Sequence, residues 1–239
     1  MPFFGKNIQK WMQFDFFARI ICICRKNTVI LRQNLKQNAM QSVEDKILTS
    51  LKKSGRGVAF APIRFAHLGT ASAVQKAIER LANDGLIIRA SRGIYFYPKI
   101  DKELGLGVIY PMFDEIASCI ANRDRVLIAP AGAYAVNKLG LSTQIPMNAV
   151  YITNGEGRKV EIRNGRSILF KHAAPKNFAF ESSFAQLVSL ALKEIGKDNV
   201  TPEQVATLKQ VLLQQPRISD MDLKLMPAWV QKQISELYE

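Results

Sequence analysis

Cysteine and histidine are scarce in this chain of 239 residues: it has only Cys22, Cys24, Cys119, His67 and His172. Three cysteines do not make the paired framework of a small secreted domain, and the two histidines stand too far from them for a zinc-ligand spacing. The expectation is a reducing, cytoplasmic setting and a chain that uses no metal or other cofactor. Long apolar runs are also missing. The most apolar stretch, residues 16–24, is broken by Arg19 and falls well short of the roughly 20 residues that span a bilayer. No small-residue cleavage site follows it, as a signal peptide requires. A phosphate-cradling loop of the Walker type is lacking too, because Gly155-Glu156-Gly157 has no lysine and hydroxyl residue at the required spacing.

Acidic residues are the remaining deficit, with 20 Asp and Glu against 33 Lys and Arg and a net charge of +13. A polyanion is the natural partner of such a surface, since each neutralised phosphate releases condensed counterions. The excess is uneven. Residues 1–42 and 43–100 each carry a surplus of six positive charges and residues 101–180 a surplus of three, whereas residues 181–239 are net negative by two. Phosphate contact is therefore expected from the N-terminal half.

Residues 1–39 read as an upstream extension without fixed structure, and Met40, followed by helix-forming residues, reads as a natural start. The same basic and apolar composition also suits a helix lying on a membrane surface.

The ordered pattern begins at Ser42. Val43, Ile47, Leu48 and Leu51 recur at helical spacing, with Glu44 and Asp45 at the positive end of the helix dipole and Lys52 and Lys53 at the other. Gly55 and Gly57 stop that helix, and Pro62 opens a short one around residues 63–67. Thr70 or Ser72 caps a third helix over residues 71–83, whose Ala71, Val74, Ala77, Ile78 and Leu81 share one face. Ser72, Gln75, Lys76, Glu79, Arg80 and Asn83 lie opposite, and Gly85 ends the helix. Two β-rich runs, residues 86–89 and 93–97, flank Ala90-Ser91-Arg92-Gly93 as a hairpin.

Three helices followed by an arginine-tipped hairpin predict a winged helix-turn-helix over residues 40–98. In such a unit the third helix enters the major groove, where Gln75 suits an adenine edge and Lys76 or Arg80 a guanine edge or a phosphate. Thr70 and Ser72 lie at its leading end, and Arg89, Ser91 and Arg92 on the wing would reach the adjacent backbone or minor groove. A solvated helix face and an ordinary charged turn, or a module for protein contacts, is the competing account.

After Pro98, residues 99–107 read as a charged, glycine-containing connector. Residues 99–180 then alternate helical and extended patterns: a helix from Pro111, a strand over residues 125–129, and a small-residue helix from Pro130 to Gly140. Strands follow over residues 149–153, 159–163 and 167–172, the last two joined by Asn164-Gly165, a two-residue turn signal. The expected fold class is α+β, an antiparallel sheet against two helices, followed by a helical extension over residues 181–239 that covers it.

The strings Phe60-Ala61-Pro62, Leu68 to Val74, Arg92-Gly93-Ile94-Tyr95, Pro130 to Ala133, Leu139 to Gln144 and Tyr151-Ile152-Thr153 resemble the AbiEi-like antitoxin family of type IV toxin-antitoxin systems, in particular its DUF6088-type members, over residues 40–180. The resemblance implies a winged helix that represses its own operator. It also implies a second unit that counteracts a nucleotidyltransferase-like toxin. On that reading Asn137, Ser142, Thr143 and Gln144 form a polar antitoxin surface; on bare turn chemistry they form a hydrogen-bonded turn into the next strand.

An enzyme is not expected. Asp114 and Glu115 are neighbours and diverge by about 100° on a helix, and His172, beside Lys171 and Lys176, suits a phosphate contact, although a lone histidine in a strand more often sits in structure or solvent. A stand-alone transcriptional regulator or a protein-interaction module remains the alternative to an antitoxin. Membrane insertion is not expected, and the oligomeric state is open.

Overall fold

The computed structural model describes residues 42–238, apart from residues 102, 104, 106 and 164. The expected extension over residues 1–39 and the Asn164 half of the turn signal lie outside the described residues.

The described residues form a mixed α+β structure with three hydrophobic clusters. Helix α1, Val43–Ser54, starts at a reciprocal cap in which the Asp45 N–H donates to Ser42 Oγ and Ser42 N–H to the Asp45 carboxylate. Strand β1, Ala59–Phe60, precedes a 3-10 helix over Pro62–Leu68, with Pro62 at its first position. Helix α2, Ala71–Asn83, is capped by Thr70 Oγ1, which accepts from the Ala73 N–H at 3.3 Å. Its bounds coincide with the periodic run, because Val74, Ala77, Ile78 and Leu81 are all buried. Ala71, expected on that face, is exposed at the first turn. Ile47 and Leu51 of α1 and the T-shaped pair Phe60–Phe65 complete this first cluster.

Strands β2, Ile88–Ser91, and β3, Ile94–Phe96, form an antiparallel hairpin, and β1 adds to β3 to give the order β1-β3-β2. The register slips between Arg89 and Ser91, a bulge that leaves Ala90 without a cross-strand partner. The connector expected over residues 99–107 holds a second, small hairpin: β4, Lys99–Asp101, pairs antiparallel with β5, Gly107–Ile109. Three-residue strands are too short to establish a period of two.

Helix α3, Phe113–Asp124, carries the expected stripe Ile116, Ala117 and Ile120. Arg125 follows in the left-handed conformation as its cap, so the strand expected from residue 125 begins later, as β6, Ile128–Ala131. Pro130 and Ala131 pair with β7, and the small-residue helix α4 is confined to Gly132–Lys138. Strands β7, Asn148–Thr153, β8, Arg158–Glu161, and β9, Ser167–His172, complete a four-stranded sheet of order β6-β7-β9-β8.

The sheet expected to be antiparallel is mixed: β7 and β9 run parallel, Asn148 opposite Ser167 through Thr153 opposite His172. The chain passes from β7 to the far edge as β8 and returns as β9 between them, so β9 takes a parallel neighbour on one side and an antiparallel one on the other. The β8–β9 connection is also longer than two residues. Ile162 N–H donates to the Arg166 carbonyl at 2.8 Å, and Gly165, at φ 79°, donates to the Ile162 carbonyl. Gly165 occupies the left-handed position that closes a three-residue hairpin loop.

The second cluster joins the two halves. Ala90, Ile94 and Phe96 of the first sheet pack with Phe113, Ile116, Ala117 and Ile120 of α3 and with Tyr151, Ile168 and Phe170 of the second sheet. A third cluster joins α4 to the C-terminal helices α5, Ser183–Ile195, α6, Pro202–Leu213, α7, Asp220–Leu225, and α8, Ala228–Tyr238. Thr201 caps α6 with Gln204 as reciprocal partner. No helix among the described residues is long and apolar enough to cross a membrane.

Candidate nucleic-acid interface

The residues singled out on α2 stand on its solvent side. Ser72, Gln75, Lys76, Glu79 and Arg80 are exposed, opposite the four buried positions. Three of them are partnered within the protein. Gln75 Nε2 donates to Glu79 Oε1 at 3.0 Å along one turn, and Arg80 reaches Glu44 of α1 at 3.8 Å. Lys76 and Ser72 project without such contacts among the described residues. Thr70 is the cap, its hydroxyl oxygen committed to the helix end.

Arg92 is exposed at the β2–β3 tip, whereas Arg89, exposed, and Ser91, half-buried, lie within strand β2, where Arg89 pairs with Tyr95. Arg89 Nε turns toward the Ser91 carbonyl at 3.4 Å. Gly93 makes the tip possible, with φ at 71°. Behind the tip, Arg123 of α3 donates from Nη1 to the Arg92 carbonyl at 3.0 Å and, through Nε and Nη2, to both oxygens of Asp124. Arg158 of β8 also donates to Asp124. The hydrogen bond from Arg123 holds the Asp124 carboxyl below the usual carboxylate range, against a smaller upward push from burial.

Two open clefts adjoin the tip. One, of about 1310 Å³, lies between the end of α2, strand β2 and the β8–β9 loop, and its charged members are Glu79, Arg89, Arg92, Glu161 and Arg163. The other, of about 790 Å³, shares Arg92 and includes Arg123, Arg158 and Lys159.

The four residues of the second expected surface form a turn. Asn137 Nδ2 donates to the Ser142 carbonyl at 3.0 Å, and the Gln144 N–H donates to Ser142 Oγ at 3.2 Å. From α6, Gln204 Nε2 donates to the Leu141 carbonyl. Thr143 and Gln144 are exposed, followed by Ile145 at 85% exposure.

A polar cluster that the sequence did not disclose lies between α3, α4 and β7. Tyr151 donates its hydroxyl to Asp114 Oδ1 at 2.6 Å, and Lys138 donates to Oδ2 at 2.8 Å. Burial pushes the Asp114 carboxyl up, yet these two donors and the charge of Lys138 hold it below the usual range. Burial raises the hydroxyl of Tyr151 and pushes that of neighbouring Tyr134 up to about 12. Both phenols therefore stay protonated at neutral pH, and Tyr151 is the donor to Asp114. Asp114 and Tyr151 are 37 positions apart, so no local pattern relates them. Cys119 is similarly inert: burial pushes its thiol up to about 11.

No curated protein matches this chain. Among solved structures, the crystal structure of the RV2827C protein from Mycobacterium tuberculosis is similar at 14% identity and a TM-score of 0.40, covering 75% of this chain and 76% of that one. A family described as of unknown function, DUF6088, matches residues 46–221. That match runs from α1 through the first turn of α7 and so takes in the helix–hairpin unit, the four-stranded sheet and most of the C-terminal helices. The chain belongs to the DUF6088 family.

Proposed function

We propose that residues 40–98 are a winged helix-turn-helix that binds double-stranded DNA at the chain's own operator in the cytoplasm, and that the chain acts as a regulator, not as an enzyme. In this reading α2 enters the major groove and the β2–β3 hairpin is the wing. Ser72, Gln75, Lys76 and Arg80 provide the groove contacts, with Thr70 at the leading end of the helix and Arg89, Ser91 and Arg92 on the wing. The observation that carries it is the exposed polar and basic side of α2, opposite the buried Val74, Ala77, Ile78 and Leu81, in the same small unit as an arginine-bearing hairpin tip. A guanidinium at such a tip suits phosphate, whose oxygens it meets with two parallel donors.

We further propose that residues 99–180, with the helical extension 181–239, counteract a nucleotidyltransferase-like toxin in a type IV system. The support is the resemblance over residues 40–180 to AbiEi-like antitoxins. The turn at Asn137, Ser142, Thr143 and Gln144 is the candidate surface, through its exposed members Thr143 and Gln144.

Gel-shift titration with the duplex upstream of the chain's own coding sequence, against an unrelated duplex, tests the first part. Preferential retention of the upstream duplex is expected. Equal binding to both, or none at low salt, overturns operator recognition. Co-expression with the product of the neighbouring gene tests the second part. Growth restored by an α2 variant that no longer binds DNA supports a separate antitoxin function, and continued toxicity favours a stand-alone regulator.

A further inference from the structure

The surface proposed above ends at the β2–β3 tip. We propose that it continues onto the four-stranded sheet, where the β8–β9 loop serves as a second tip and Arg163 contacts a DNA phosphate beside Arg92. This rests on the DNA-binding reading and extends it to a residue in the other half of the chain.

The loop is fixed to the wing by its backbone. The bulge in β2 leaves the Ala90 carbonyl outside the cross-strand ladder, and the Arg163 N–H donates to it at 3.0 Å. Within the loop, the bonds from Ile162 to Arg166 and from Gly165 to Ile162 hold the hairpin closed. Arg163 is therefore anchored on the edge strand of the wing, although it lies beyond α3 and most of the sheet in sequence. A side chain whose backbone is already ordered gives up less freedom on meeting a phosphate.

The charges around it select a polyanion. Arg89, Arg92 and Arg163 line one open cleft. Of its two carboxylates, Glu161 faces Lys159 at 3.5 Å, and Glu79 accepts from the neutral Gln75 and keeps its charge, so three guanidinium groups stand against one carboxylate without a cationic partner. In the adjoining cleft Arg158 is bound to Asp124. Among the described residues, Arg92 and Arg163 are exposed and have no ion-pair partner. Both project from tips whose backbones are held by hydrogen bonds to residues distant in sequence, Arg92 through Arg123 and Arg163 through Ala90. Two guanidinium groups without an ion-pair partner, lining one cleft, suit the phosphates of a duplex strand.

The test is a fluorescence-anisotropy titration of the upstream duplex at several salt concentrations with wild type, Arg163→Ala, Arg163→Lys and, as a remote control, Lys209→Ala on the exposed side of α6. Arg163→Ala keeps the backbone donor to Ala90, and thermal unfolding checks that it remains folded. Loss of one phosphate contact lowers the slope of log K against log salt by about 0.9, with weaker binding to every duplex. Arg163→Lys keeps the slope, and Lys209→Ala changes neither quantity. A wild-type slope in Arg163→Ala overturns the proposal while leaving operator binding intact. An equal loss in Lys209→Ala overturns it in favour of diffuse charge. Failure of the wild type to bind the upstream duplex removes the underlying reading as well.

Discussion

Arg123 donates from Nη1 to the main-chain carbonyl of Arg92 at 3.0 Å, tying α3 to the β2–β3 tip across 31 positions of sequence. The same guanidinium holds Asp124, which in turn holds Arg158 of β8. One side chain thus links the hairpin tip, the helix end and the edge of the second sheet. A methyl group built on Gly93 comes within 3.1 Å of that Nη1.

The first prediction uses this contact. Gly93→Ala and Gly85→Ala both place alanine at φ 71°, which costs roughly 1–2 kcal/mol for a residue with a Cβ. Only Gly93→Ala also displaces Arg123, since nothing lies within 4 Å at Gly85. Denaturant unfolding is expected to show a larger loss for Gly93→Ala, and the excess is expected to vanish in an Arg123→Ala background. Additive losses in the double variant would show that the two residues are not coupled.

Asp222 carries the second. It is 1% exposed, and its carboxylate accepts from the Glu181 N–H at 2.8 Å and the Ser182 N–H at 3.1 Å, joining α7 to the start of α5. Asp222→Ala strands two donors next to the third cluster and is expected to lower unfolding free energy by about 3 kcal/mol. Asp222→Asn, which keeps one acceptor oxygen, is expected to lose less. A loss in Asp222→Ala no larger than that of an exposed substitution such as Asp220→Ala would refute the role.

Acid stability follows from Asp114 and Asp124. Both carboxyls are held below their ordinary range in the folded chain, so the folded state binds protons less readily than the unfolded one. The stabilisation is complete above the unfolded value of about 3.9 and disappears as pH falls through the lower folded values. Urea midpoints are expected to stay level near neutrality and to decline below about pH 4. Asp124→Asn is expected to lower the neutral midpoint and flatten the decline; an unchanged pH profile would contradict the argument.

The α2 helix was legible because everything that defines it is local: a hydroxyl cap at Thr70, four apolar positions at helical spacing and a glycine two residues past its end. The order of strands was not. Asn164-Gly165 marks β8 and β9 as sequential neighbours, yet nothing in either strand states that β9 also lies parallel to β7. The candidate interface divides the same way. The exposed face of α2 follows from its period, whereas the link from Arg163 to Ala90 and the cluster of Asp114, Lys138 and Tyr151 exist only after distant segments pack.

The final prediction concerns Glu44, whose carboxylate faces Arg80 at 3.8 Å from α1, with Arg80 itself 70% exposed at the side chain. An exposed pair of this kind contributes only about 0–1 kcal/mol to folding, but it competes directly with any phosphate or base that Arg80 is to meet. Glu44→Gln removes a negative charge from the edge of the proposed interface and frees Arg80. The upstream duplex is therefore expected to bind several-fold more tightly to Glu44→Gln at low salt, with thermal stability nearly unchanged, and the gain is expected to shrink as salt screens the surface. In an Arg80→Ala background the same substitution should give a smaller gain, because only the long-range repulsion of Glu44 is then relieved. An equal gain in both backgrounds would place Arg80 outside the DNA contacts and leave Ser72, Gln75 and Lys76 as the helix face that meets the groove.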